Sequence, residues 1–149
     1  MLFIRALFYT RVQATGDQTM PNPTCTEESP GVHVLLVDDN QDFLRAATDL
    51  LRRNIDMVVV IAIGGGEQVI VQAQSLRPQV VLVGLDTPNL MSLDTISRLR
   101  MRLPEAIIIV LTMLSGDTYR RAVLFAGADE VIAKANLSTE LLPAIRRFV

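Results

Sequence analysis

From Val32 onward the chain alternates between apolar runs and amphipathic stretches. The runs are Val32 to Val37, Met57 to Ile63, Val80 to Val83, Ala106 to Leu111 and Glu130 to Ala133. Their interiors do not alternate apolar with polar residues, so each reads as a strand covered on both faces, as in a parallel sheet. Between them the apolar residues recur at helical spacing. Phe43, Leu44, Ala47, Leu50 and Leu51 share one face, as do Val69, Ile70, Ala73 and Leu76. Leu93, Ile96, Leu99 and Leu103 repeat the pattern, followed by Tyr119, Ala122, Val123 and Ala126, with Gly127 placed as the residue that stops the helix. Ser138 opens a last helix that ends in Phe148 and Val149, and Pro143 is expected to distort its first turn.

Five strands alternating with five helices imply right-handed crossovers and a sheet sandwiched by helices. The simplest such fold is α/β, a flavodoxin-like, doubly wound, five-stranded parallel sheet in the order 2-1-3-4-5. Residues 1–31 pattern differently, with a short apolar start, Arg5 and Arg11, then polar residues and prolines. They read as a disordered N-terminal tail ahead of a single domain at 32–149, with Met20 an alternative start. Leu2 to Val12 is too short and too interrupted to span a membrane, and no cleavage site follows a clean apolar segment.

Composition narrows the function classes. Half of the 149 residues are hydrophobic and 20% are charged, which describes a globular chain with a sizeable core. A net charge of -2 gives no electrostatic case for nucleic acid. Cys25 is the only cysteine, so no disulfide framework forms within the chain, and a reducing cytoplasm fits. His33 has no His or Cys neighbours and is assigned no role. Of the fourteen basic residues, thirteen are Arg; the single Lys is Lys134.

In the expected fold the carboxyl ends of the strands converge on one crevice. They supply Asp38 and Asp39 after the first strand, Gly84 after the third, Thr112 after the fourth and Lys134 after the fifth. Adjacent carboxylates repel unless a cation holds them, so the pair suggests a site for a hard cation or an ammonium group. The plainer alternative is a helix N-cap beside a solvated acid.

This constellation resembles the receiver domain of two-component response regulators. The matching text is VLLVDDNQDFLRAATDLL, RPQVVLVGLDTPNL, IIIVLTML and GADEVIAKANL, and the resemblance covers essentially all of Val32 to Val149. It implies that Asp38 and Asp39 hold Mg²⁺, with the main-chain carbonyl of Asp86 as a third protein ligand. It also implies that Thr112 and Lys134 contact phosphoryl oxygens and that an Asp ending the third strand accepts the phosphoryl group. Such transfer is mostly positioning and charge neutralisation, which these residue types supply. Aligned from Arg77-Pro78 and from Pro88, however, the acceptor position falls on Gly84, which has no side chain to phosphorylate.

Three further departures accompany it. Met113 follows Thr112 where the family usually has a small residue, and its thioether is expected to cover the crevice. Val131 replaces an aromatic residue that in many receivers swings inward on activation. Ala135 replaces a common Pro, so a trans peptide is expected after Lys134. A direct ion pair with Lys134 is therefore the first expectation for Asp38 and Asp39, with weak Mg²⁺ binding second.

The resulting expectation is a stand-alone, phosphorylation-independent receiver-like signalling domain, not an enzyme. The chain stops straight after the fifth helix, so output is expected through a protein partner at the fourth helix, fifth strand and fifth helix, with a homodimer as another option. Arg120, Arg121, Arg146 and Arg147 could rim that face, the plainer reading being cations near helix ends. The alternative is a conventional phosphotransfer receiver using Asp86 as acceptor. A small metal-dependent phosphatase-like enzyme fits less well, because Asn40 stands where an Asp-x-Asp motif needs its second acid. Gly64-Gly65-Gly66 fails the dinucleotide spacing, since Val69 falls at the third glycine. No nucleophile elbow is present for a Ser-His-Asp hydrolase.

Overall fold

The computed structural model describes residues 8–10, 31–38, 40–53, 57–62, 67–85, 90–114 and 116–149. Its strands are β1 (Phe8–Thr10), β2 (Val32–Val37), β3 (Met57–Ala62), β4 (Val80–Gly84), β5 (Ile107–Thr112) and β6 (Glu130–Ala133). Its helices are α1 (Gln41–Arg52), α2 (Glu67–Leu76), α3 (Leu90–Arg102), α4 (Asp117–Ala126) and α5 (Leu137–Phe148). Strands β2 to β6 run parallel in the order β3-β2-β4-β5-β6, the doubly wound arrangement expected from the alternation of runs.

Among the described residues the sheet has six strands where five were expected, because β1 pairs antiparallel with the outer edge of β3. Phe8–Thr10 thus departs from the disordered tail read from the sequence; the rest of that tail up to Pro30, Met20 included, lies outside the described residues. Aromatic and β-branched residues suit an extended segment, and an open strand edge offers it hydrogen-bonding partners.

The apolar runs fill both faces of the sheet, residue by alternate residue. Val34, Leu36, Val80, Leu82, Ile109 and Leu111 pack with α1 and α5, through Leu44, Leu51, Leu141 and Ile145. Leu35, Val37, Val81, Val83, Ile108 and Val110 face α2, α3 and α4, through Val69, Ile70, Ile96, Leu99 and Val123. At roughly 1.5–3 kcal/mol for each fully buried large aliphatic side chain, these two layers dominate stability.

Local chemistry sets the helix ends. The Asn40 side chain caps α1 by accepting from the N–H groups of Asp42 (3.0 Å) and Phe43 (3.1 Å). Gly127 ends α4 at φ +128°, and a Cβ there would fall 2.9 Å from the Arg100 Cβ, so two requirements favour glycine at one position. Helix α5 runs unbroken through Pro143, and the irregular turn lies ahead of it, at Lys134–Asn136, rather than in its first turn. Pro143 lacks the N–H that would donate to the Thr139 carbonyl, and both residues are exposed.

Side chains from α3 fix the carboxyl end of α4. Ser97 Oγ donates to the Ala126 carbonyl (3.2 Å) and Arg100 Nε to the Gly127 carbonyl (2.9 Å). Arg100 Nη1 also donates to the Ala106 carbonyl (2.7 Å), while Asp129 accepts from Arg100 and from the Ile108 N–H (2.8 Å). One guanidinium thereby ties α3, the approach to β5 and the turn after α4 together.

Candidate functional site

The register of the sheet explains which strand ends meet. Val37 pairs with Val83, so Asp38 leaves β2 beside Gly84 at the end of β4. Thr112 pairs with Ala133, which places Lys134 one residue beyond the end of β6. The strand ends named from the sequence therefore share the carboxyl edge of the sheet. Asp39 and Asp86 lie outside the described residues, as do the glycines at 64–66.

Asp38 is only 3% exposed and both of its oxygens are used. Oδ1 accepts the Asn40 N–H at 2.8 Å, a short local turn that leads into the α1 cap. Oδ2 accepts from Lys134 Nζ at 2.7 Å, and the lysine side chain is 6% exposed. This is the ion pair expected from the sequence, made by Asp38. Two buried opposite charges carry a large desolvation cost that such a short, charge-assisted bond offsets, and either group alone would be strongly unfavourable.

Gly84 gives Asp38 the space it occupies. A Cβ placed on Gly84 would fall 2.5 Å from the Asp38 Cγ, 3.1 Å from its Cβ and closer still to Oδ2. The backbone of Gly84 is not in the left-handed region, so the constraint is contact and not conformation. The carboxylate of Asp38 fills the volume in which a side chain at Gly84 would begin.

The aromatic ring over the ammonium was missed in the sequence, where Phe43 reads only as part of an apolar helical face. Its ring centroid lies 4.2 Å from Lys134 Nζ, within cation–π range. The available signal was its position in the first turn of the helix that follows the paired acids. Met113, expected to cover the crevice, is instead 72% exposed. Its long apolar side chain finds no enclosing partner at a strand end, and the cover over Lys134 comes from α1.

Thr112 is buried at the strand end, but its Oγ1 accepts the Leu114 N–H at 3.0 Å. The hydroxyl braces the loop after β5 in addition to standing on the crevice edge. Among the described residues no peptide bond is cis, so the bond after Lys134 is trans as expected. Among those residues, too, no group of three metal-ligating side chains comes together, and the one described acid of the pair already has both oxygens engaged.

A second cluster lies where α4, β6 and α5 meet. Arg120 donates to the Val131 carbonyl (2.9 Å) and to Glu130 Oε1 (2.7 Å), and Arg147 donates to Glu130 Oε2 (2.9 Å). Two of the four arginines read as a possible basic rim are thus spent on one carboxylate. Partial burial pushes the Glu130 carboxyl up, but the Val131 N–H, Arg120 and Arg147 outweigh it and hold the group below the ordinary carboxylate range. A groove of about 340 Å³ opens beside this cluster, lined by Arg120, Glu130, Val131, Pro143 and Arg147.

Comparison with known proteins agrees with the fold. The family description "Response regulator receiver domain" matches residues 34–146. The transcriptional activator protein ExaE of Pseudomonas putida is 31% identical over 114 residues, 76% of this chain and 53% of that protein. The nitrate/nitrite response regulator protein NarP of Escherichia coli (strain K12) is 33% identical over 119 residues, 80% of this chain and 55% of that protein. The chain thus spans about half the length of the curated relatives it matches. Among solved structures, the response regulator domain of Thermotoga maritima CheB superposes with a TM-score of 0.67 at 25% identity, covering 78% of this chain and 95% of that one. The isolated receiver domain of RcsB from Salmonella enterica serovar Typhimurium gives 0.68 at 23% identity, covering 78% and 86%, a likeness of fold. Among the described residues no helix is long and apolar enough to cross a membrane.

Proposed function

The chain belongs to the response regulator receiver-domain family, and within it we propose a receiver that acts without being phosphorylated. Its crevice is held in one arrangement by Asp38 and Lys134, and its α4–β6–α5 face is offered to a protein partner. The observation that carries this reading is the carboxylate of Asp38 lying against Gly84 and bonded to Lys134. In the family the lysine serves the phosphoryl group on an aspartate ending the strand that is β4 here. The alignment from Pro78 and Pro88 puts that aspartate at Gly84, and Asp38 takes up both the space and the ammonium.

The output face supports the same reading. Val131 stands where an inward-swinging aromatic would be, and its carbonyl is held by Arg120. Glu130 joins α4 to β6 and α5, and Ser97 and Arg100 join α4 to α3, contacts that favour this arrangement of the face. A partner reading a constant surface needs no phosphoryl input. A second copy of the chain is the other occupant of this face. Acting by contact in this way calls for no catalytic turnover.

Acetyl phosphate with Mg²⁺, followed by intact-mass measurement, tests the proposal. The unmodified mass is expected. A stoichiometric, acid-stable and base-labile phosphoryl adduct would overturn it in favour of a conventional receiver using Asp86. A Gly84→Asp variant that gains the adduct would confirm the alignment on which the acceptor position rests.

A further inference from the structure

We infer that Lys134 is the resident cation of the crevice, standing on Asp38 in place of a divalent metal, so that removing its ammonium turns a metal-excluding site into a metal-binding one. The inference rests on the proposed reading for the identity of the crevice and goes beyond it to the site's ligand. Three observations converge. Asp38 is the described acid of the pair, and its oxygens are taken by the Asn40 N–H at 2.8 Å and the Lys134 ammonium at 2.7 Å. A divalent ion sharing Oδ2 would stand within a few ångströms of a fixed positive charge, in surroundings that screen poorly.

The second observation is burial. Mg²⁺ demands near-octahedral oxygen ligation and keeps several of its waters. Asp38 and Thr112 are buried at this edge and the lysine side chain is nearly so, so a hydrated ion reaches Oδ2 only where the side chain held there by its charge gives way. The third is Phe43, whose ring lies 4.2 Å from the ammonium. An aromatic face attracts a compact monovalent cation and offers no lone pair to a metal. Lys134 is also the only lysine among fourteen basic residues, a compact point charge on a flexible stem.

Take away the ammonium, and Asp38 Oδ2 is left a carboxylate oxygen without its positive partner, the kind of donor a hard cation prefers. The test uses the ¹⁵N-labelled full chain and follows the Asn40 amide, which reports directly on Asp38 Oδ1. In the wild type, Mg²⁺ up to about 20 mM is expected to produce no saturable shift, and Mn²⁺ no selective broadening; Lys134→Met is expected to saturate at least tenfold lower. A wild type that saturates near or below about 1 mM overturns the inference, as does a Lys134→Met variant as unresponsive as the wild type.

Should Lys134→Met fold poorly, Mg²⁺ is expected to raise its melting temperature by mass action while leaving that of the wild type unchanged. No rise in the variant would overturn the inference. Phe43→Leu, which keeps the ammonium, is expected to gain no metal; a gain equal to that of Lys134→Met would overturn the assignment to Lys134. The proposed function fails separately. A wild type that binds Mg²⁺ but takes no phosphoryl group from acetyl phosphate sinks this inference alone, whereas one that takes the phosphoryl group sinks the proposed function whatever Asn40 reports.

Discussion

Adding one methyl group at Gly84 should be among the most damaging small changes in this protein. Gly84→Ala places a Cβ 2.5 Å from the Asp38 Cγ and 3.1 Å from its Cβ, both on a short buried side chain that has no free end to yield. Two routes relieve the contact. If the backbones of β2 and β4 part, the cost is that of overpacking a core, typically ~1–3 kcal/mol. If Asp38 swings away, Lys134 loses its carboxylate while still buried, and breaking one half of a buried ion pair costs ~3–5 kcal/mol. The protein takes the cheaper route, and alanine regains ~0.5–1 kcal/mol over glycine in a strand, so a net loss of ~1 kcal/mol is expected. Urea unfolding followed by circular dichroism measures it, and a double-mutant cycle isolates its origin. In an Asp38→Ala background the same Gly84→Ala change should cost much less, since Cγ and Oδ2 are gone and only the 3.1 Å contact with the Cβ at position 38 remains. A Gly84→Ala variant within ~0.5 kcal/mol of the wild type, or one equally damaging without Asp38, would refute the reasoning.

Other consequences are as specific. Lys134→Met should destabilise by ~3–5 kcal/mol at near-neutral pH, and Asp38→Leu added to it should recover much of that loss, because an unpaired buried charge costs more than an apolar pair; denaturant midpoints decide. Asn40→Ala removes the side-chain acceptor for two N–H groups and should cost ~1 kcal/mol by urea unfolding. Glu130 has a depressed pKa, so its contribution to stability is present above the ordinary Glu range and is lost as pH falls through its folded value. The stability gap between wild type and Glu130→Gln should therefore narrow on acidification, and a gap that widens would reverse the sign of this account. Because Arg147 is largely exposed, Arg147→Ala should change stability by well under ~1 kcal/mol.

What the sequence made legible was whatever depends on runs and spacing. Continuous Val, Ile and Leu runs marked the parallel strands because both faces of the sheet are covered, and helical spacing marked the faces that cover them. The crevice followed from topology, since a doubly wound sheet brings particular strand ends together. The lone Lys134 stood out against thirteen arginines, and its bond to Asp38 could be foreseen from charge. Rotamers and packing were not legible. Nothing in the order of residues shows that Asp38 fills the space at Gly84, that Phe43 covers the ammonium, or that Thr112 Oγ1 turns to the Leu114 N–H. Met113 was misread because an apolar residue beside a crevice was taken to close it. The β1 strand was invisible because three residues have no periodicity, and its pairing depends on an edge offered by β3. Arg120 and Arg147 look like a basic rim in one dimension and prove to be clamps on Glu130 in three.

The central claim is a crevice and an output face that do not respond to a phosphoryl group. Beryllium fluoride with Mg²⁺ mimics an acyl phosphate on an aspartate acceptor, and the amides of Arg120, Val131 and Arg147 report on the α4–β6–α5 face. Their ¹H–¹⁵N shifts are predicted to be unchanged by saturating beryllium fluoride. Coherent shifts at these residues, saturating with the reagent, would contradict the account.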